Sequence, residues 1–222
     1  MNRIFLTIVI FSLILSSCDN GSDQVNGNPY ESIYQPMPSS PTLLRGATVL
    51  TGNGERFENT DLILKEGKID AIGPNLVAED IIVIDAKGMW VTPGIIDVHS
   101  HLGVYASPRV RAHSDGNEAT APNTAEVWAE HSVWPHDPGF VAALAGGITS
   151  LQILPGSANL IGGRGVTLKN VPGQSVMEMK FPGAPHGLKM ACGENPKRVY
   201  GSRRQPPSTR MGNVAGYRAA WI

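Results

Sequence analysis

The residues best suited to chemistry are His99 and His101, two imidazoles separated by a single serine. In an extended strand, residues i and i+2 face the same side, about 6.5–7 Å apart along the backbone. Two imidazoles set side by side in this way can reach one metal ion, at Zn–N bonds of about 2.0–2.1 Å. Asp97 precedes His99 by the same two-residue step and shares its face, which gives its carboxylate a supporting role behind the histidines. A bare His-x-His pattern is short, and two ordinary surface or buried histidines would produce the same letters. Position adds weight. Ile95 to Val98 is mostly apolar, as in a strand buried on both faces, and the histidines fall at its C-terminal end. That end is where α/β barrels carry their catalytic groups.

The elements that must hold this pair can be read on both sides of it. Leu44 to Leu50 predicts a strand, turned by Thr51-Gly52-Asn53-Gly54. Asp61 to Lys65 and Lys68 to Ile72 predict two more, joined by a Glu66-Gly67 hairpin turn. Ile81 to Ile84 is a fourth apolar run, closed by Asp85-Ala86-Lys87-Gly88. After the histidines, residues 103–137 are polar and irregular. Phe140 to Ala145 is compatible with a helix stopped by Gly146-Gly147, and Ile148 to Leu154 resumes as a strand. A Gly-rich loop over Asn159–Gly165 leads to a strand-like Val166 to Lys169, and the stretch from Gly212 to Ile222 reads as helical. Strand alternating with helix after Pro93 predicts an α/β architecture.

Composition narrows the classes. With 41% hydrophobic and 17% charged residues the chain is of globular type, which excludes disorder throughout. Its 18 basic and 19 acidic residues nearly cancel, so no electrostatic footprint for nucleic acid is present. Nothing in it specifies an oligomeric state. The N-terminus is different material. After Met1-Asn2-Arg3, Ile4 to Leu15 is almost wholly apolar, shorter than the roughly 20 residues of a transmembrane helix but suited to the core of a signal peptide. Leu15-Ser16-Ser17-Cys18 resembles a bacterial lipobox, which implies cleavage before Cys18 and lipidation of that residue. The chain is thus expected to be an exported lipoprotein, membrane-anchored on the periplasmic or cell-surface side. Cys192 is the other of the two cysteines, so no intramolecular disulfide remains once Cys18 is acylated. Residues 19–41, rich in Gly, Asn, Ser and Pro, read as a flexible linker.

The run Pro93-Gly94-Ile95-Ile96-Asp97-Val98-His99-Ser100-His101 resembles the opening signature of the amidohydrolase superfamily. Gly46–Gly52, the hairpin over Ile63–Ile69 and Ala71-Ile72-Gly73 resemble the strand-rich preamble of that superfamily. Gly146-Gly147-Ile148-Thr149-Ser150 is similar to the start of its second barrel strand, and Gly187 to Arg198 resembles the imidazolonepropionase- or prolidase-like branch. The resemblance implies an α/β fold: a small β-sandwich segment at 42–92, then the N-terminal part of a (β/α)8 TIM-type barrel at 93–222, behind the signal of 1–18 and the linker of 19–41. It implies one or two divalent metal ions, zinc being the expected one, and a small-molecule substrate with an amide or cyclic amide bond. His99 and His101 match the family's first-strand ligands, and Asp97 its Asp in the same motif. A complete barrel takes about 250 residues, so the chain is expected to be an incomplete, inactive fragment. The family's remaining ligands, a carboxylated Lys or Glu, two histidines and an Asp, are then expected mostly beyond residue 222. The alternative is a non-enzymatic, membrane-anchored lipoprotein built on a truncated barrel.

Other candidates read more plainly. His113, His131 and His136 fall in the long loop after the strand and are expected to face solvent. Lys169 and Lys189 are the lysines weighed for the carboxylated position, and neither falls on an assignable fourth strand. Arg164 could orient a carboxylate but reads as a surface residue. Cys192 is expected to be a buried structural thiol, and Glu194 to Arg198 a charged turn without chemistry.

Overall fold

A computed structural model describes residues 30–222. Cys18 and the expected signal segment lie outside the described residues. Strands β1 (Thr42–Leu50), β2 (Arg56–Lys65), β3 (Lys68–Gly73), β4 (Ile82–Asp85) and β5 (Trp90–Val91) form one sheet in the order β3-β2-β1-β4, with β5 also on β1. The expected sandwich segment is therefore a single mixed sheet of five strands. Alternation along β1 turns Leu43, Ala47 and Val49 inward, and Ala47 and Val49 pack on Leu62 and Ala86. The β2–β3 turn has Glu66 at φ 52° and Gly67 at φ 71°. Positive φ at both central residues is what a two-residue type I′ hairpin requires. Asp61 is buried and accepts the Gly46 N–H at 2.9 Å and the Leu76 N–H at 3.1 Å, tying β1 to the loop after β3.

The second half opens with β6 (Ile95–Ser100), followed by a long loop, helix α1 (Pro138–Ala145) and strand β7 (Ile148–Ile153), which pairs parallel to β6. Asp137 caps α1, with Pro138 at the first helical position, where the missing N–H costs nothing. The helix ends at Gly146-Gly147, and Gly147, at φ 91°, accepts the Ile95 N–H at 2.9 Å. A methyl group on Gly94 would overlap the Thr149 side chain. The two glycine-containing motifs noted in the sequence thus touch, and Gly94 leaves the space that the Thr149 side chain fills.

Beyond β7 come β8 (Ile161–Arg164), β9 (Val166–Lys169), α2 (Val176–Met179), β10 (Leu188–Met190), α3 (Glu194–Gly201) and α4 (Arg210–Ala220). Three expectations are corrected here. The Gly-rich loop contains β8, which pairs antiparallel to β10, and β9 pairs antiparallel to β7. Alternation of strand and helix is therefore not matched by parallel pairing throughout. Glu194 to Arg198 is the start of α3, not a turn. Ile95, Ile96 and Val98 are 55%, 66% and 69% exposed, because β6 pairs only with β7 among the described residues. The architecture is mixed α/β with small sheets, and no barrel closes among the described residues. Its main core gathers Val104, Phe140, Leu151, Ile153, Leu168 and Met179.

The end of the expected linker is docked on this half. Ile33 N–H donates to the Met177 carbonyl at 3.1 Å, and Ser32 Oγ donates to the Lys180 carbonyl at 2.6 Å. Lys180 Nζ donates to the Tyr30 carbonyl at 2.6 Å and pairs with the buried Glu130 carboxylate at 2.6 Å.

Candidate metal centre

Strand β6 and the residue after it bring His99 and His101 together, with ring centroids 5.2 Å apart and planes at 83°. His101 Nδ1 lies 2.8 Å from the Leu154 carbonyl oxygen, just past β7. A carbonyl can only accept, so Nδ1 carries the proton and Nε2 keeps its lone pair for a ligand. Burial lowers the His101 pKa, outweighing the opposing Leu154 carbonyl; Lys189 and His99 lower it further. The neutral imidazole, the form that binds metal, is thereby favoured.

His99 is exposed, and its Nε2 lies 3.2 Å from Lys189 Nζ. Lys189 sits at the centre of β10 and is 8% exposed, and its burial lowers the ammonium pKa. Asp97 accepts the His99 backbone N–H through Oδ1 at 3.0 Å. Its carboxylate thus braces the strand that carries His99. Tyr105 packs edge-on against His101, centroid to centroid 5.7 Å. The loop bearing Tyr105 is held by Asp137, which accepts the Gly103 N–H at 2.9 Å and the Ser107 N–H at 3.2 Å while also capping α1.

The donor chemistry fits part of a metal centre: two imidazoles, one fixed in the ligating tautomer, and a desolvated lysine amine beside them. A catalytic zinc site usually takes three protein ligands. Among the described residues, no group of three or more His, Cys, Asp or Glu converges on such a position. His131 and His136 are exposed, as expected of the loop, whereas His113 is half-buried against Trp134. His186 Nδ1 lies 3.0 Å from the Gly165 carbonyl. Arg164 stacks on Trp128, its guanidinium carbon 4.0 Å from the ring centre. Cys192 is exposed, contrary to the expected buried thiol, because it follows the end of β10 and precedes α3.

Lys189, which falls on no assignable fourth strand by sequence, is brought to the histidine pair by β10. In the structure of Leu188-Lys189-Met190 the charged residue occupies the inward position of the strand and the apolar neighbours are 46% and 39% exposed, an inversion the residue types alone do not reveal. Burying an ammonium without a carboxylate partner is costly, and the lowered Lys189 pKa reflects that cost.

The chain is similar to several known proteins over part of their length. The chain is 36% identical over 208 residues to amidohydrolase tasK of Hapsidospora irregularis, covering 82% of this chain and 21% of that protein. It superposes on the crystal structure of an amidohydrolase from Thermotoga maritima MSB8 with a TM-score of 0.74 and 43% identity, covering 81% of this chain and 46% of that one. A dihydroorotase from Halalkalibacterium halodurans is 43% identical over 61 residues, 28% of this chain and 14% of its own length. No family model matches the chain. It spans about a fifth of the first of these relatives and under half of the solved Thermotoga chain. Over that part it is homologous to the amidohydrolase superfamily, a family of metal-dependent hydrolases of C–N bonds.

Proposed function

We propose that the chain contributes the first ligand pair of a metal-dependent hydrolase that opens amide or cyclic amide bonds. The observation that carries this reading is His101, whose Nδ1 is committed to the Leu154 carbonyl so that Nε2 stands free beside His99. Relatives named dihydroorotase, dihydropyrimidinase, allantoinase and imidazolonepropionase support a cyclic amide as the substrate class. The parallel β6–α1–β7 unit is the beginning of a (β/α)8 barrel in this reading, and zinc is the expected metal.

His99 and His101 would hold the ion. A bound divalent ion supplies a water of lowered pKa and polarises a carbonyl oxygen. The residues present do the rest of what the chain can do. The Leu154 carbonyl keeps the His101 proton on Nδ1, Asp97 braces His99, and Asp137 holds the Tyr105 loop over the pair. Lys189, by its place beside His99, is the lysine suited to the carboxylated position. Its neutral amine adds carbon dioxide, forming an N–C bond, losing one proton to water and becoming a carboxylate. Activity belongs to a polypeptide that supplies the further ligands. Assays of dihydroorotate, dihydrouracil, allantoin and hydantoin should show chelator-sensitive ring opening in such a polypeptide and none in the 222-residue chain alone. Chelator-resistant turnover, or none in either protein, would overturn the reading.

The protein is further proposed to be held on a membrane through lipid on Cys18. Replacement Cys18→Ser should abolish incorporation of labelled palmitate and release the protein from the membrane fraction; retention of both would refute the anchor.

A further inference from the structure

A cavity of about 290 Å³ opens beside His101, lined among others by Tyr105, Asn117, Ser157, Asn195 and Arg198. Its hydrogen-bonding polarity can be worked out group by group. Asn117 Oδ1 accepts the Ala158 backbone N–H at 2.9 Å, which fixes the amide and turns its NH2 to the Tyr105 hydroxyl oxygen. Asn195 Oδ1 accepts from Arg198 Nη2 at 3.4 Å, so its NH2 faces Ser157 Oγ. Both amide oxygens are thus engaged within the wall, and both hydroxyl oxygens already accept a proton. The donors left for an occupant are the Tyr105 and Ser157 hydroxyl hydrogens and the unused N–H groups of the guanidinium, beside the His101 Nε2 lone pair. Among the described residues, no Asp or Glu lines the cavity. Arg198 makes no ion pair among the described residues, the nearby Glu194 being paired instead with Lys197 at 3.7 Å.

We infer that this cavity binds a carboxylate carried by the substrate, with Arg198 as the specificity-determining residue. The inference rests on the hydrolase reading and sharpens it: the substrate is a cyclic amide bearing an acidic side group, not a neutral ring. Charge-assisted bonds from a guanidinium to a carboxylate are strong and directional, about twice as strong as the neutral bonds a carboxamide would make in its place. His101 shares the cavity, so an anchored carboxylate would set the ring of a small substrate against the histidine pair. Arg164, the arginine that sequence reasoning considered for such a role, is occupied with Trp128 instead.

The test uses the purified full chain and a matched pair of probes, hydantoin-5-acetate and its neutral amide, hydantoin-5-acetamide, titrated by calorimetry without added metal. The acid should bind at least tenfold more tightly than the amide. Arg198→Gln should remove that preference, and Arg198→Lys should keep a reduced part of it. Arg198 is exposed, and unchanged melting of each variant checks that the fold is intact. Equal binding of the two probes, binding of neither, or a preference that survives in Arg198→Gln would overturn the inference. Zinc binding measured on the same samples reports separately on the hydrolase reading, since a chain that selects the acid but ignores zinc would retain the cavity and lose the metal centre.

Discussion

Lys189 Nζ lies 3.2 Å from His99 Nε2, joining two residues ninety positions apart in the chain. The pairing places a primary amine from β10 against an imidazole from β6, two strands that share no sheet. Burying an amine beside an imidazole does little for folding, because desolvation opposes its charge and no carboxylate compensates it.

Lys189→Met tests whether the amine is kept for the site. The variant fills a similar volume without burying charge, so it should unfold at equal or higher urea, with a gain of up to about 2 kcal/mol. Zinc affinity should fall in the same protein. A loss of stability with unchanged zinc affinity would show that Lys189 serves packing alone.

Asp137→Ala should be among the most damaging single changes in the second half. The buried carboxylate accepts N–H groups from Gly103, Ser107 and Gly139, so its loss strands donors in both the loop and the helix terminus. Loss of the cap and of two loop contacts should cost about 2–4 kcal/mol in urea unfolding. Hydrogen exchange at Gly103 and Ser107 should quicken together. A change below about 0.5 kcal/mol, the usual range of surface substitutions, would contradict this role.

The Glu130–Lys180 pair gives a different pattern. Removing one partner leaves a buried charge, so Glu130→Ala should cost about 3–5 kcal/mol. Glu130→Leu combined with Lys180→Met should recover much of that loss. The residual cost reports the Lys180 bond to the Tyr30 carbonyl, which holds the segment at residues 30–34 in place. Additive losses in the double variant would argue that the two side chains act independently.

Much of the framework was legible from local patterns. The Glu66-Gly67 turn followed from the residue types of a tight hairpin, and Gly146-Gly147 marked the end of a helix that starts at Pro138, two residues before the Phe140 read from sequence. The pairing of His99 with His101 needed only the two-residue period of a strand. What local pattern could not supply was pairing at a distance. The glycines at 162, 163 and 165 looked like a loop, yet Gly162 and Gly163 lie in β8, closely approached by other chain, with Val127 against Gly163. Lys189 and Arg198 lie in the Gly187–Arg198 stretch, whose resemblance assigned neither a role; Lys189 meets His99 ninety positions away, and Arg198 lines a cavity with His101. Ile96 and Val98 misled in the other direction. Their apolarity anticipates burial on both faces, but β6 has a partner on one edge only among the described residues.

The most direct test of the central claim is zinc binding by equilibrium dialysis of the purified full chain at neutral pH, with metal counted by mass spectrometry. The account predicts saturable zinc binding that weakens at least tenfold in His99→Ala and in His101→Ala, and vanishes in the double variant. Undiminished zinc binding by the double variant, with its fold intact, would contradict it.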